Sequence, residues 1–161
     1  MDMEAVKEAI DNLELLNIKL RSSEFQVKDA IDGVVRTDMQ QQSLWHVEAE
    51  VVSFAGDIVT NSTAEMLQVE ITFGTRYIQK SPNEKSSQST NEDAVELAKI
   101  GATYRLEYLI KKTIPEESIK AFCEFNAVHN CWSFWREHVF STCQKAQIPT
   151  FAIPFFKSPT R

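Results

Sequence analysis

His129, Cys131 and His138 are the residues whose types and spacing come nearest to metal or nucleophile chemistry in this chain. Their spacing does not follow the paired-ligand patterns of zinc sites, and they fall around an expected helix break near Asn130, so no metal is expected. A Cys–His nucleophile pair on Cys131 or Cys143 lacks a third group to orient the imidazole and any feature that would lower the thiol pKa. The four glycines are scattered and build no phosphate-cradling loop, and no nucleophile elbow occurs. The expectation is a chain that is not an enzyme and takes no cofactor. Glu48, Glu50, Glu70 and Glu107 fall on the polar faces of expected strands. Two readings stand for them: a solvated sheet face, or an acidic platform that docks a basic partner.

The aromatic residues say more. Ten Phe, three Trp and three Tyr are present. Many crowd the last third of the chain: Trp132, Phe134, Trp135, Phe140, Phe151, Phe155 and Phe156. At roughly 100° per helical residue, Trp132, Phe134 and Trp135 point to different sides and cannot all share one buried stripe. Some of them must meet another surface, which is the sheet, a second subunit or a bound polypeptide.

The elements that would position these groups follow from periodicity. Met3, Val6, Ile10 and Leu13 recur at helical spacing, predicting a helix over 2–14. Leu16, Ile18 and Leu20 alternate with polar residues and predict a strand over 15–27. Residues 34–44, with the Met39-Gln40-Gln41-Gln42-Ser43 run, read as a crossover loop. Trp45, Val47, Ala49 and Val51 face one way in a strand over 45–54, opposite His46, Glu48 and Glu50. Further strands are expected over 66–78 and 102–112. Residues 79–93 carry almost no apolar side chain and read as a mobile loop, with a short helical turn over 94–100 ended by Gly101. The 79–100 stretch would thus be a mobile insertion in the hairpin. Pro115, Glu116 and Glu117 open a helix over 116–128, on which Ile119, Phe122, Cys123 and Asn126 share a face. A second helix over 132–146 follows the break. Helix, strands, then segregated helices predict a single α+β domain: a four-stranded antiparallel sheet with two C-terminal helices on one face and an added N-terminal helix.

With 161 residues, 43% hydrophobic and 25% charged, the chain suits one self-supporting core. A net charge of −6 argues against nucleic acid and anionic membranes as ligands. No stretch suggests a secretory signal or a membrane span. Three cysteines in one helical stretch are not a disulfide framework, so a reducing, cytoplasmic setting is expected.

Residues 114–156 resemble the SecB family of export chaperones and SecB-like proteins. The resemblance rests on Trp132-Ser133-Phe134-Trp135-Arg136-Glu137, on Ile148-Pro149, and on Ala152-Ile153-Pro154-Phe155-Phe156. Ser133 stands where the family usually has Pro. Upstream, Trp45 with Val47-Glu48-Ala49-Glu50 is similar to the family's tryptophan before its second strand. The resemblance covers about residues 15–156. It implies a homotetramer built as a dimer of dimers, with grooves that hold unfolded or aggregation-prone polypeptides without ATP. By position, Trp45, Trp132, Phe134, Trp135, Phe140 and Phe155 would line the groove or a subunit interface. Glu107 falls near the family's acidic contact with the SecA motor, so SecA is one implied partner. SecB-like members of toxin–antitoxin systems make an antitoxin the other. The sequence shows no counterpart of the terminal helix and acidic tail that help proteobacterial members bind SecA, which separates the chaperone expectation from the export one.

Overall fold

The computed structural model describes residues 3–32, 34, 36–55, 63–79, 95–150 and 152–156. Helix α1 (Met3–Asn12) leads into strand β1 (Leu13–Val27). Strands β2 (Met39–Ala55), β3 (Thr63–Gln79) and β4 (Val95–Ile110) follow. Helix α2 (Glu116–Phe122), a π turn (Cys123–Ala127) and helix α3 (Val128–Ala146) complete the order. The strands form one antiparallel sheet in the order β1-β4-β3-β2. β1 and β2 therefore lie at opposite edges, and the chain between them crosses the end of the sheet. Two 3-10 turns, Asp29–Ile31 and Arg36–Asp38, lie in that crossing.

Strict alternation decides which face is dry. Leu67, Val69, Ile71 and Phe73 of β3 pair with Tyr108, Leu106, Tyr104 and Ala102 of β4, and all are buried. The helices close this face. Phe122 meets Tyr108 edge-on with ring centroids 5.1 Å apart, and Trp135 stacks on Phe73 at 5.4 Å. Each such side chain, fully buried, contributes about 1.5–3 kcal/mol. α1 docks on α2, where Ser118 Oγ donates to Glu8 Oε2 at 2.8 Å. The result is the expected α+β arrangement, a four-stranded sheet with helices on one face.

Several elements differ from what the sequence pattern predicts. Met39–Ser43 is strand, not crossover loop, and pairs with Gln79–Thr75. Its polar residues find cross-strand partners in place of apolar alternation: Gln41 Nε2 and Ser43 Oγ donate to Thr75 Oγ1, each at 3.0 Å, and Arg76 Nε donates to Gln42 Oε1 at 2.8 Å. Val95–Ile100 is strand rather than a helical turn, because β3 supplies ladder partners from Val95 onward and β1 joins on the other side from Ala98. Gly101 is therefore paired within β4 and caps no helix. The insertion is shortened accordingly, since Gln79 and residues 95–100 belong to strands, while the mobile-loop expectation for 80–94 lies outside the described residues. No break occurs at Asn130. α3 runs through it, and its Nδ2 donates to Tyr108 Oη at 3.1 Å. The expected 2–14 helix ends at Asn12, and Leu13 already pairs with Ile110.

β1 departs in phase. Register shifts between Leu15 and Asn17 and between Leu20 and Ser22 insert extra residues into the strand. Leu15, Ile18, Leu20, Phe25 and Val27 therefore share the helix-side face, opposite Tyr108, Leu106, Tyr104, Ile100 and Ala98. Leu16 falls at the first shift and does not join the face that the simple alternation gives it. α3 covers the middle of the sheet, so Leu15, Leu20, Phe25 and Val27 stay at least 40% exposed on this edge.

Candidate functional site

β2 places Trp45 on the helix side of the sheet, opposite Phe73. The strand is at the edge, beyond the cover of α3, so Trp45 remains 46% exposed. α3 brings Trp132 alongside, edge-on to Trp45 with ring centroids 5.6 Å apart. Trp132 also contacts Phe73 at 5.7 Å, which ties the exposed indole to the core.

Beyond α3 the chain turns back through Gln147, whose left-handed backbone closes the helix with Ile148 N donating to Cys143 O at 3.1 Å. Pro149 and Pro154 exclude another helix, and residues 152–156, in neither helix nor strand, lie beside α3. Trp132 Nε1 donates to Pro154 O at 2.8 Å and Arg136 Nε donates to Ile153 O at 3.0 Å. Phe156 packs against Trp132 at 5.3 Å, Phe125 at 5.6 Å and Trp45 at 6.0 Å. Phe155 turns outward, 76% exposed, under the Arg136 guanidinium 4.4 Å from its ring centroid. Between Gln41, Ser43 and Trp45 on one side and Trp132 with Ile153–Phe156 on the other lies a notch of about 450 Å³. Its walls are aromatic and its lip is polar, which suits an apolar side chain whose backbone stays wet.

The residues singled out by the sequence do not all meet here. Trp45, Trp132 and Phe155 form the notch. Phe140, one helical turn beyond Arg136, lies on the same flank and is 57% exposed. Phe134 belongs to the other flank, where His138, one turn on, meets Ser23 Oγ of β1 at 3.2 Å. Phe134 is exposed there, beside the apolar row of β1. Trp135 is core, 1% exposed, and presents no surface in this chain. Pro154 and Phe156 also line the notch, and Phe125 backs the Phe156 ring, although no sequence pattern marked them as site residues. Phe125 was hidden because the π turn shifts its phase. Phe156 is the neighbour of a residue that was marked.

The carboxylates lie on the opposite, polar face. Glu107 is buried and accepts from Lys19 Nζ at 2.7 Å and Asn17 Nδ2 at 3.0 Å. The Lys19 hydrogen bond holds its carboxyl below the usual range against the opposing effect of burial. Glu70 accepts from Arg105 at 2.6 and 2.9 Å. Glu48 and Glu50 are exposed on β2, with His46 3.2 Å from Glu48. This face therefore carries mixed charge. A shallow depression of about 680 Å³ sits on it near Gly74, rimmed by Leu44, Arg76 and Lys99.

The cysteines are buried. Burial pushes the Cys123 and Cys131 thiols up to about 12 and raises that of Cys143, against the hydrogen bond from Tyr77. Among the described residues no group of three or more His, Cys, Asp or Glu is placed to hold a metal ion. No helix among them is long and apolar enough to cross a membrane.

No protein-family model matches the sequence, and no curated protein matches it. Among solved structures, the Mycobacterium tuberculosis Rv1957 SecB-like chaperone, in complex with a ChAD peptide from the Rv1956 HigA1 antitoxin, matches with a TM-score of 0.67. The match covers 98% of this chain and 100% of that one at 12% sequence identity. With its four-stranded antiparallel sheet and helices on one face, the chain has a SecB-like fold.

Proposed function

We propose that this protein is an ATP-independent chaperone that holds unfolded or aggregation-prone polypeptides in apolar grooves. The observation that carries the reading is the notch in which half-exposed Trp45 stands against Trp132 and exposed Phe155, on a sheet edge that leaves backbone groups free. Large side chains kept in water at a cost in solubility mark interaction sites. A single notch binds weakly, and repetition across subunits multiplies weak sites. The protein assembles as a dimer of dimers in the cytoplasm in this reading, and the apolar row on β1 supports the self-association. Of the acidic platform, Glu48 and Glu50 are the members that keep exposed charge for a basic partner such as a docking motor for export.

A light-scattering assay on a chemically denatured client tests the proposal. Stoichiometric protein should suppress aggregation without nucleotide, and undiminished aggregation would count against it.

A second reading is a protein dedicated to one partner. It is favoured by the structural neighbour, which is seen with an antitoxin peptide. Affinity capture followed by mass spectrometry separates the two. One stoichiometric partner favours the dedicated role, and many unrelated unfolded chains favour the general one.

A further inference from the structure

We infer that residues 152–156 are a displaceable occupant of the aromatic notch, an internal stand-in for a bound polypeptide, rather than a fixed wall of it. The inference rests on the reading of the notch as a polypeptide-binding site and concerns how access to that site is controlled.

Three observations carry it. First, the segment has the chemistry of the ligand that the notch suits. It lies in neither helix nor strand, it is apolar, and it offers backbone carbonyls. Second, among the described residues it is held by no backbone-to-backbone hydrogen bond. Its carbonyls at Ile153 and Pro154 are bound instead by the side-chain donors Arg136 Nε and Trp132 Nε1. These donors read a carbonyl oxygen and not a particular sequence, so an incoming extended chain can satisfy them equally well. Third, the segment has one firm anchor. Ile153 is 6% exposed, Pro154 and Phe155 beyond it are exposed, the latter at 76%, and Phe156 is partly buried. Phe156, seated between Trp45, Trp132 and Phe125, is thus joined to the anchor only through an exposed stretch.

The structure contains the exchange partners. A client aromatic replaces the Phe156 ring on the two indoles, the client's carbonyls replace those of Pro154 and Ile153, and the segment swings out about Ile153. Apparent affinity is then the intrinsic affinity multiplied by the fraction of chains with the seat vacated. A fixed wall predicts the reverse, because removing Phe156 would strip contacts from the client.

The test uses the full chain and a short fluorescein-labelled peptide in which phenylalanine alternates with serine. Fluorescence anisotropy should show that Phe156→Ala binds this peptide about three- to tenfold more tightly than the unaltered chain. Equal or weaker binding by the variant overturns the displacement inference and leaves the polypeptide-binding reading intact. A second measurement needs no variant. Saturating peptide should remove the nuclear Overhauser contacts between the Phe156 ring and the Trp45 and Trp132 indoles of the unaltered protein, and persistence of those contacts also overturns it. Failure of the peptide to bind either form removes the polypeptide-binding reading, and the inference falls with it.

Discussion

Trp45 of an edge strand and Trp132 of the long helix meet edge-on at 5.6 Å, one indole half in water and the other buried. The pair joins surface to core, so the two ends of this aromatic chain should respond differently to truncation. Trp45→Ala should change stability by about 1 kcal/mol or less, because much of the ring is already exposed, and should impair suppression of client aggregation. Trp135→Ala removes the ring stacked on Phe73 and should cost about 3–5 kcal/mol. Urea denaturation beside the light-scattering assay separates the two. Equal loss of stability would contradict the assignment.

The exposed row of Leu15, Leu20, Phe25 and Val27 should be covered in solution by another subunit. Leu20→Lys should leave the single chain folded and weaken self-association, at about 2 kcal/mol for a lost buried leucine, or roughly thirtyfold in the dissociation constant. Mass measured by light scattering across a concentration series reports this. A single-chain mass for the unaltered protein at every concentration would refute it.

The contact between Glu107 and Lys19 sets a direction for pH dependence. The carboxyl is held below its usual 4.5 in the folded chain, mainly by the hydrogen bond from Lys19. The unfolded chain therefore takes up the proton first as pH falls. The stabilisation is complete above the usual carboxylate value and is lost as pH drops through the folded value. Urea midpoints measured on the acid side should fall less steeply for Glu107→Gln than for the unaltered chain. Parallel slopes would mean that the ion pair does not titrate with folding.

Gln147 occupies the left-handed region at φ 54° and ψ 35°, where a side chain is strained and glycine is not. Gln147→Gly keeps the backbone bonds to Cys143 and Gln144 and should stabilise the protein by about 1 kcal/mol. A lower thermal midpoint would show that the Gln147 side chain makes a compensating contact.

The buried thiols should be silent. With Cys123 and Cys131 pushed up to about 12 by burial and Cys143 also raised, hardly any thiolate exists at neutral pH. A thiol reagent should label the native protein slowly and all three cysteines once urea is added. Rapid native labelling would point to local opening of α3.

The sequence was legible where one period runs unbroken through an element. Leu67 to Phe73 and Ala102 to Tyr108 alternate cleanly and pair in one unbroken register inside the sheet, the β3–β4 register shifting only farther on, between Tyr77 and Ile78. It was illegible where tertiary partners replace periodicity. Gln41 and Ser43 look like loop residues until Thr75 receives their hydrogen bonds, and residues 95–100 lack a strand signature until β3 and β1 flank them. The two shifts in β1 hid which leucines share a face, since each extra residue reverses the alternation. The site was read in the same uneven way. Aromatic excess pointed to Trp45, Trp132 and Phe155, and it also drew in Trp135, which the core claims. Composition identifies rings but not their direction.

The π turn at Cys123–Ala127 has a consequence for insertion and deletion. A turn of this kind is an α-helix that has absorbed one extra residue. Upstream of it Phe122 faces Tyr108, and downstream Trp135 faces Phe73, so both helices address the same sheet face because the turn takes up that residue locally. Deleting one residue within 123–127 would leave an unbroken α-helix whose two halves stay in step, whereas a deletion farther along α3 would turn everything beyond it by about 100°. Both the rod and its seating would survive the first and not the second. The π turn is the slack link of the helical layer, the one place where the chain can lose a residue without losing its mesh with the sheet.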